Sequence, residues 1–404
     1  MSATRVTTLP SPFPRVDDAH PSLDPERIRC ARETAGLSKV QLAERLGVTS
    51  RTIANYEEDG APASQSAPLA DALNVVPSFF TVLLDAPSIE DLMESQVWFR
   101  SLRKSTARQR RSAVGHGRNA LLFFHWIERH FRLSACSLPV GDDMVWTPRE
   151  AAAALRGDWG YGENPLPDMA KLAEAHGVRL FSLPPVGKEV DAFSFVFDGV
   201  PYVAVDTSKT AERVRFDIAH ELGHLLLHEG SFSEHVESRD VEAEAHAFAA
   251  NLLMPERRVK AIIPSHAGLA DIIKGKRYFK VSAMTMARRA HELGRLSDWE
   301  YRQVCSALTA KGYRSAEPDG IMRERSTVFS FVERTNRSRG VSSRTISEET
   351  GLTVRELHDL SFGNILVIED GDGRLPGNAD ALAPQAHGQG HPQLTLHVNH
   401  RFEE

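Results

Sequence analysis

Hydrophobic residues in the middle of the chain follow two periods, first one typical of strands and then one typical of a helix. Residues 190–205 contain two runs rich in aromatic and β-branched residues, and Asp198-Gly199 between them predicts a tight hairpin turn. Further on the spacing becomes helical, with apolar positions at Ile218, Leu222, Leu225 and Leu226. The stretch 207–217 opens with Thr and Ser cap candidates and contains no Pro or Gly, and Gly230 offers a stop. The pattern predicts a β-hairpin followed by one long helix.

A second patterned region near the N-terminus predicts three short helices. Their ranges are 24–35, 38–46 and 49–57, with Ser38 and Thr49 as cap residues. A glycine follows each of the first two helices, which is a common way for a helix to end. Two helices joined by a short turn are typical of a helix-turn-helix motif, and the positions where they would cross are small or apolar: Ala43, Val48 and Ile53.

The predicted long helix carries the sequence His220-Glu221-Leu222-Gly223-His224. Histidines four residues apart lie on one helical face, so both rings can reach a single cation. Glu221 lies beside the pair, where a carboxylate can take a proton from water at the metal. The chain contains 17 histidines, so this spacing alone is weak evidence and the neighbouring residues have to support it.

A catalytic zinc usually has three protein ligands, so a third ligand is needed. The helix predicted over 239–254 offers Glu242, Glu244 and His246. Because a helix turns about 100° per residue, the two glutamates point roughly 200° apart and only one can face the metal. We select Glu242, which shares a stripe of small and polar residues with His246. His246 is then a group that orients a ligand or replaces one, and Glu244 is expected on the exposed face.

At this point a family resemblance becomes clear. The HELGH motif, followed eighteen residues after His224 by Glu242 in EAEAHAFAANLLMP, resembles the ImmA/IrrE family of zinc metallopeptidases over roughly residues 140–318. The resemblance implies that His220, His224 and Glu242 bind Zn²⁺ and that Glu221 is the catalytic base. His246 departs from the family pattern, which more often has Asn or Asp there. The group that orients a ligand imidazole is therefore left open.

The N-terminal helices resemble the lambda-repressor-like Xre family over about residues 25–84. The matching pieces are Gln41-Leu42-Ala43, Gly47-Val48-Thr49 and Ile53 with Tyr56-Glu57. The resemblance implies binding of double-stranded DNA, with a recognition helix in the major groove and Gln41 near phosphate. The residues it places at the start of that helix are Ser50, Arg51, Thr52 and Asn55. Arg51 is suited to guanine and Asn55 to adenine. The alternative is a helical domain that binds protein, because this region is not strongly basic.

The chain has 404 residues, enough for two or three domains. The predicted fold class is α+β and mostly helical. It comprises an all-α helix-turn-helix domain, a small zincin-like domain with a short sheet beside the HExxH helix, and a helical C-terminal region. The predicted segments are a disordered leader (1–23), the helix-turn-helix domain (24–85), a basic helical connector (86–139), the metallopeptidase domain (140–318), a helical C-terminal region (319–368) and a disordered tail (369–404).

The connector begins with seven cations and no acid between residues 100 and 118: Arg100, Arg103, Lys104, Arg108, Arg110, Arg111 and Arg118. One interpretation is a flank that follows the DNA phosphates and adds salt-dependent affinity. The other is the solvated face of a long connecting helix, which the later apolar positions Leu121, Phe124 and Ile127 support.

The C-terminal region contains a weak internal repeat. Apolar, Gly and Thr positions of the helix-turn-helix recur 304 residues later, at Ile346, Gly351, Leu352, Thr353 and Leu357. A second DNA-binding motif is one interpretation. Glu356 and Asp359 would repel phosphate on its third helix, so we favour a helical hairpin used for packing or for a dimer contact.

Composition narrows the class of protein. The net charge is −6, so any affinity for DNA has to be local. Three cysteines without a CxxC pair argue against disulfides and against a cysteine zinc site. The sequence offers no membrane span and no signal-peptide core, which favours a cytoplasmic location. Four histidines in the tail could bind metal adventitiously, but a solvated tail is favoured: His387, His391, His397 and His400.

Two functions follow from these motifs. In the first, the protein is a DNA-binding transcriptional regulator whose zinc peptidase domain cleaves a partner protein such as a repressor. In the second, it is a transcription factor whose peptidase-like domain senses a metal or a ligand without hydrolysis, because a motif does not establish turnover. The helix-turn-helix resemblance also implies a homodimer, since operators of such domains are commonly two-fold.

Overall fold

The fold is given by a computed structural model. It describes residues 22–81, 87–93, 97–99, 105–138, 146–184, 190–228, 238–313, 316–365 and 397–398. These residues are mostly helical and surround one small sheet, which confirms the predicted fold class. The predicted leader lies outside the described residues except for its last two positions, and the predicted tail lies outside them except for residues 397–398.

The N-terminal domain contains four helices: α1 (Pro25–Thr34), α2 (Lys39–Leu46), α3 (Ser50–Asp59) and α4 (Ser66–Leu73). The side chains of Asp24, Ser38 and Thr49 accept backbone N–H groups at the first three helix starts. The sequence predicts the caps at Ser38 and Thr49, whereas Asp24 caps the helix whose predicted range begins at this residue. Two short strands, β1 (Ser22–Leu23) and β2 (Ala61–Pro62), pair antiparallel beside them.

A buried ion pair fixes α1 against α3. The Arg32 guanidinium donates to the Glu57 carboxylate and, at 2.9 Å, to the backbone oxygen of Leu37. Lys39 approaches the same carboxylate at 3.1 Å. Because a buried charge pair tolerates little displacement, this network fixes the orientation of α3 relative to α1.

A long helix, α5 (Ala107–His130), follows the N-terminal domain and lies between it and the sheet. This N-terminal domain is the predicted DNA-binding domain. Gly115 permits the contact with α1, since a Cβ there would lie 2.7 Å from the Cα of Thr34. Two residues further on, about half a turn around the helix, Gly117 faces Phe193 and Phe195 of the sheet. The short strand β4 (Phe131–Arg132) leaves α5 and pairs with β8 (His397–Val398).

The sheet has four strands in the order β3-β6-β7-β5. Their bounds are β3 (Trp98–Phe99), β5 (Arg179–Ser182), β6 (Ala192–Phe197) and β7 (Val200–Val205). The turn between β6 and β7 has positive φ at Asp198 (49°) and Gly199 (73°), as a type I′ hairpin requires. The hairpin predicted from the sequence is therefore present. It is extended by β3 antiparallel to β6 and by β5 parallel to β7.

Two hydrophobic cores meet at this sheet. The first joins the DNA-binding domain, α5 and the C-terminal helices with Phe193 and Phe195 of β6. The second lies under the opposite face, where Ala192 of β6 and Val203 of β7 pack against the helices of the metal domain. β6 thus contributes alternate residues to two cores, as a strand covered on both faces does.

Among the described residues, the second core is built from two helices that precede strand β5 in the sequence and six helices that follow strand β7. They are α6 (Pro148–Asp158), α7 (Met169–Ala175), α8 (Ala211–Leu227), α9 (Ser238–Leu253), α10 (Glu256–Ile262), α11 (Leu269–Phe279), α12 (Ala283–Glu292) and α13 (Asp298–Ala310). The long helix predicted from residue 207 onward begins at Ala211 in the structure, with Thr210 as its N-cap. Its predicted stop at Gly230 lies outside the described residues.

The C-terminal helices α14 (Thr327–Arg339), α15 (Ser343–Thr350) and α16 (Val354–Leu360) return to the DNA-binding domain. Val76 donates its backbone N–H to the oxygen of Gly351 at 3.2 Å. Glu356 accepts from Asn119 at 2.9 Å and lies 2.7 Å from Nδ1 of His116, both on α5. Glu356, whose charge would repel DNA phosphates, therefore packs against α5.

Buried charges also attach the start of the C-terminal region to the metal helix. The Glu212 carboxylate of α8 lies 2.8 Å from Lys276 of α11 and also accepts the backbone N–H of Ile321 at 3.1 Å. Arg215 of α8 pairs with Glu324. Glu174 of α7 accepts the backbone N–H of Thr327 at 2.7 Å, where α14 begins. Because breaking one of these contacts would leave a buried charge without its partner, they fix the position of α8 within the domain.

No helix among the described residues is both long and apolar enough to cross a bilayer. The three cysteines are free thiols. Burial raises the pKa of Cys30 to about 11, so that thiol stays protonated at neutral pH and is a poor nucleophile.

Candidate metal centre

The HELGH residues lie on a part of α8 that is buried on every side. His220, Glu221 and His224 expose 2%, 0% and 0% of their surface. Ionisable residues are seldom buried this deeply unless they are paired or hold a metal. Their burial therefore requires partners supplied by neighbouring elements.

The imidazoles of His220 and His224 converge on one point together with the Glu242 carboxylate of α9. Their Nε2 atoms are 3.1 Å apart. The Glu242 oxygens lie 3.5 Å from Nε2 of His220 and 3.4 Å from Nε2 of His224. Among the described residues, these three form the group of His, Cys, Asp and Glu side chains able to hold a metal ion.

The spacing of the two Nε2 atoms and the two Glu242 oxygens fits zinc. Ligands at about 2.0–2.1 Å from a tetrahedral zinc are separated by roughly 3.3–3.4 Å, and the three observed separations bracket that value. Two neutral ring nitrogens that face each other with lone pairs repel unless a proton or a cation lies between them. Two imidazoles and one carboxylate, with the fourth direction left for water, are also a donor set that catalytic zinc uses.

The Glu242 carboxylate is kept ionised by its neighbours. Burial acts to raise its pKa, but the hydrogen bonds and charges of His220 and His224 outweigh burial and lower the pKa to about 2. A carboxylate that is already deprotonated at neutral pH needs to lose no proton before it binds a cation.

The Glu221 carboxylate, between the two histidines in sequence, contacts the sheet. Its Oε2 accepts a hydrogen bond of 2.7 Å from Oγ of Ser194, which lies on β6. Both residues are fully buried. Ser194 lies in the stretch that resembles the family. Nothing in the sequence distinguishes it from other serines in strands, so the sequence does not predict its contact with Glu221.

Gly223 allows α9 to approach α8 closely enough for Glu242 to reach the histidines. A Cβ at this position would lie 3.0 Å from Cδ1 of Phe248 and 3.1 Å from the Cα of Ala245, both on α9. Such contacts are tighter than ordinary van der Waals contact, so any side chain here must push the two helices apart.

Gly223→Ala is therefore expected to weaken the site although alanine favours helices. Overpacking of this kind costs about 1–3 kcal/mol, which outweighs the roughly 1 kcal/mol gained from helix propensity. Thermal unfolding should show a lower melting temperature, and zinc titration a weaker affinity. Gly157→Ala in α6 is the matched control, because a Cβ there meets nothing within 4 Å and should stabilise the protein. Equal zinc affinity in both variants would contradict the close-approach argument.

A further histidine, His228, which is not part of the HExxH motif, lies behind His224. Nδ1 of His228 is 3.2 Å from Nδ1 of His224, and Nε2 of His228 is 3.0 Å from Oε2 of Glu244. The expected exposure of Glu244 is found, with 53% of its side chain accessible, but its carboxylate contacts His228. Burial lowers the pKa of His228, against an opposing effect of Glu244. The signal in the sequence was a third histidine, again four residues on.

His246, proposed from the sequence to orient or replace a ligand, lies near the site but outside the converging group. Its ring centroid is 6.5 Å from that of His220 and 5.0 Å from that of Phe216. Glu242 is therefore the residue of α9 that meets both imidazoles, as the helical geometry predicted.

Both edges of the β-hairpin are paired among the described residues, but the β6 edge is paired over two positions only. β6 pairs with β3 on one side, with Trp98 opposite Ser194, and β7 pairs with β5 on the other. A strand pair beside a helix that carries metal ligands is a place where an extended peptide can dock by adding a strand. Such docking on this hairpin stays a prediction, because a two-residue strand of the same chain lies on the β6 edge.

In the DNA-binding domain, α3 presents the predicted recognition residues. Ser50, Arg51 and Asn55 are exposed, while Thr52 is half-buried and its backbone N–H is bound by Thr49 at 3.1 Å. Gln41 is tied to the start of α2, since its Oε1 accepts the backbone N–H of Ser38 at 2.9 Å. Its side-chain carbonyl therefore serves as a cap.

The basic segment divides into two parts. Positions 100, 103 and 104 lie outside the described residues. Arg118 donates to the Leu92 backbone oxygen at 3.0 Å and pairs with Glu33 at 3.3 Å, so it belongs to the packing of α5. Arg108 and Arg111 are exposed. Arg118 thus fits the interpretation of a packed connecting helix, whereas the phosphate-following interpretation stays a prediction for Arg108 and Arg111.

Comparison with known families agrees with this arrangement. Residues 28–75 match the family model described as a helix-turn-helix, and residues 173–291 match the model described as the IrrE N-terminal-like domain. No curated protein gives a significant match. The chain is therefore similar to a helix-turn-helix over residues 28–75 and to an IrrE N-terminal-like domain over residues 173–291, as the resemblance implied.

Proposed function

We propose that this DNA-binding regulator with a peptidase-like domain is a zinc endopeptidase that cleaves a partner protein, such as a repressor. The observation that carries the proposal is the convergence of His220, His224 and Glu242 at tetrahedral spacing beside Glu221. Two imidazoles and a carboxylate would hold Zn²⁺ and leave one direction open. When bound there, zinc supplies Lewis acidity and lowers the pKa of a water molecule.

The residues of the chain have separate parts in this mechanism. Glu221 takes a proton from the attacking water at one carboxylate oxygen and later returns it to the leaving amine. Ser194 holds the other oxygen at 2.7 Å, which fixes the carboxylate while the proton moves. Glu242 binds instead of acting as a base, because a pKa of about 2 makes its carboxylate a weak proton acceptor.

The DNA-binding domain would bring the peptidase to its place of action. α3 would enter the major groove with Arg51 and Asn55 directed at base edges and Ser50 and Thr52 near the backbone. We propose that Gln41 contacts phosphate through its amide nitrogen, since its carbonyl oxygen caps α2. A two-fold operator would be bound by a homodimer, and a protein that acts on DNA in this way works in the cytoplasm.

Cleavage of a partner can be tested without knowing the partner. Cells that express the parent and cells that express Glu221→Gln are compared by profiling of protein N-termini. A true substrate should show a new N-terminus in the parent that is absent from the variant. Identical profiles under zinc-replete conditions would contradict the peptidase proposal and leave the DNA-binding function intact.

Arg51→Ala is expected to weaken specific DNA binding by about 1–3 kcal/mol, because it removes a two-pronged contact to a base. Affinity for a selected operator should fall, while non-specific binding changes little. Arg344→Ala is a suitable control, since that arginine is 85% exposed on α15, outside the helix-turn-helix. No change in operator affinity with Arg51→Ala would remove this residue from base readout.

One observation favours the second function, a metal sensor that regulates DNA binding. β6 carries Ser194 toward Glu221 on one face, while Phe193 and Phe195 join the core shared by α5 and the DNA-binding domain. A change at the metal can therefore reach the DNA-binding domain through packed elements. Zinc-dependent operator affinity in Glu221→Gln, which cannot cleave, would support sensing. Equal affinity with and without zinc would argue against it.

A further inference from the structure

The contacts behind His224 assign a role to two residues that the catalytic proposal leaves unused. We propose that His228 and Glu244 position the His224 imidazole toward the metal. The inference rests on the proposed metal site and adds to it the groups that orient one ligand. His228 lies one turn after His224 on α8, and Glu244 lies on α9, the helix that also carries Glu242.

The proton positions follow from the distances. Nε2 of His224 faces the metal position and must present a lone pair, so the proton of a neutral ring lies on Nδ1. That N–H donates to Nδ1 of His228 across 3.2 Å. The proton of His228 then lies on Nε2 and is donated to Glu244 across 3.0 Å. This is the arrangement of two neutral rings in which each contact has one donor and one acceptor and His224 still offers its lone pair.

The arrangement also explains why both glutamates of α9 are needed. Glu242 and Glu244 point in different directions from the helix, so one meets the metal position while the other meets a residue one turn further along α8. A carboxylate at the end of the hydrogen-bonded series holds the His224 ring in plane. Partners of this kind typically change metal affinity by about 10–100-fold.

The test measures zinc affinity by competition with a chelator. His228→Phe fills the same space without accepting a hydrogen bond and should weaken zinc binding about 10–100-fold. His228→Gln, which can both accept and donate, should recover part of that loss, and Glu244→Gln should weaken binding less than His228→Phe does. His266→Phe is the matched control, because that side chain is 82% exposed. The visible spectrum of the cobalt-loaded protein should change with His228→Phe and not with the control.

Each outcome bears on one statement. Parental zinc affinity in His228→Phe would overturn the positioning role, and parental affinity in Glu244→Ala would remove Glu244 from it. Circular dichroism identifies a variant that is unfolded, in which case His228→Gln and Glu244→Gln carry the test. A parent protein that binds no zinc would instead contradict the metal site itself, so the two failures are distinguishable.

A different observation, the strand order of the sheet, carries a second inference. We infer that the outer edge of β6 binds extended peptide and that the chain's own Trp98–Phe99 segment occupies this edge in the structure. β3 pairs antiparallel with β6, placing Trp98 opposite Ser194 and Phe99 opposite Phe193. Ser194 is the residue that holds Glu221, so the paired segment runs beside the proposed catalytic base.

The length of β3 indicates that it can be replaced. It contributes two residues to the sheet, whereas β6 has six and pairs along its full length with β7 on the other side. A two-residue pairing provides few main-chain hydrogen bonds, and a longer peptide can form more of them along the same edge. The connector from the DNA-binding domain would therefore compete with a peptide substrate for this edge.

The probe is a fluorescent peptide with the sequence of residues 92–103 of this chain, and the readout is anisotropy without zinc, so that neither metal nor cleavage is required. Trp98→Pro with Phe99→Pro removes both backbone N–H groups from β3 and should free the edge. We expect this variant to bind the peptide at least about tenfold more tightly than the parent does, since a self-segment no longer competes. A peptide with proline at the same two positions should not bind.

Equal binding of the peptide to the parent and to the variant would overturn the competition, and binding to neither would overturn the docking edge. The single variants Trp98→Pro and Phe99→Pro keep the test decisive if the double variant is unfolded. Because the assay needs no turnover, its failure would leave the peptidase proposal to be tested by Glu221→Gln.

Discussion

Glu221→Gln is expected to abolish cleavage of any protein substrate while the protein keeps its zinc. Glutamine has the shape of glutamate, and its carbonyl oxygen can accept the hydrogen bond from Ser194, so the local structure should persist. It cannot take a proton from water, and loss of a general base typically costs about 10²–10⁴ in rate. Single-turnover cleavage and metal analysis on the same preparation measure both effects.

The outcome of this substitution separates base catalysis from metal chemistry alone. A variant that retains zinc and cleaves as fast as the parent would contradict the role of Glu221. Ser194→Ala should give a smaller loss of rate, because the carboxylate remains and loses only one fixed contact. The ratio of the two effects shows how much of the rate depends on holding the base in place.

Glu242→Ala is expected to cause the largest loss of metal. Four-ligand zinc sites bind with roughly 10–16 kcal/mol, so one ligand is worth about 3 kcal/mol, or about a hundredfold in affinity. His220 and His224 would remain, and two imidazoles alone should exchange zinc readily. Metal content after dialysis against a weak chelator measures the change. Glu348→Ala is the control, because that side chain lies on α15 and is 63% exposed.

Full zinc content in Glu242→Ala would mean that the third ligand lies elsewhere, and His246 would then be the nearest candidate on α9. Its ring lies 6.5 Å from that of His220, so reaching the metal would require α9 to rotate. Glu242→Ala combined with His246→Ala would decide between these ligands, because both would then be absent.

The two proposals for function meet in the sheet. A peptidase needs β6 to hold its base and to offer an edge, and a sensor needs β6 to connect the metal with the DNA-binding domain. The structure places both requirements on one strand, through Ser194 on one face and Phe193 on the other. Cleavage and regulation of DNA binding are therefore compatible in one molecule.

The sequence by itself determined the elements whose information is local. Ser38 and Thr49 mark helix starts because each side chain caps the turn that follows it. Asp198-Gly199 marks the hairpin because that turn needs positive φ. Two histidines at helical spacing share a face in any helix, so His220 and His224 could be paired without coordinates.

Only the tertiary structure decided which distant residues meet these elements. The contacts of Glu221 with Ser194, of His228 with Glu244 and of Glu356 with His116 join residues far apart in sequence. Periodicity specifies which face of a helix or strand is buried, but not which other element covers it. That choice depends on how all the buried faces pack together, as when Gly223 lets α9 approach α8 and bring Glu242 to the histidines.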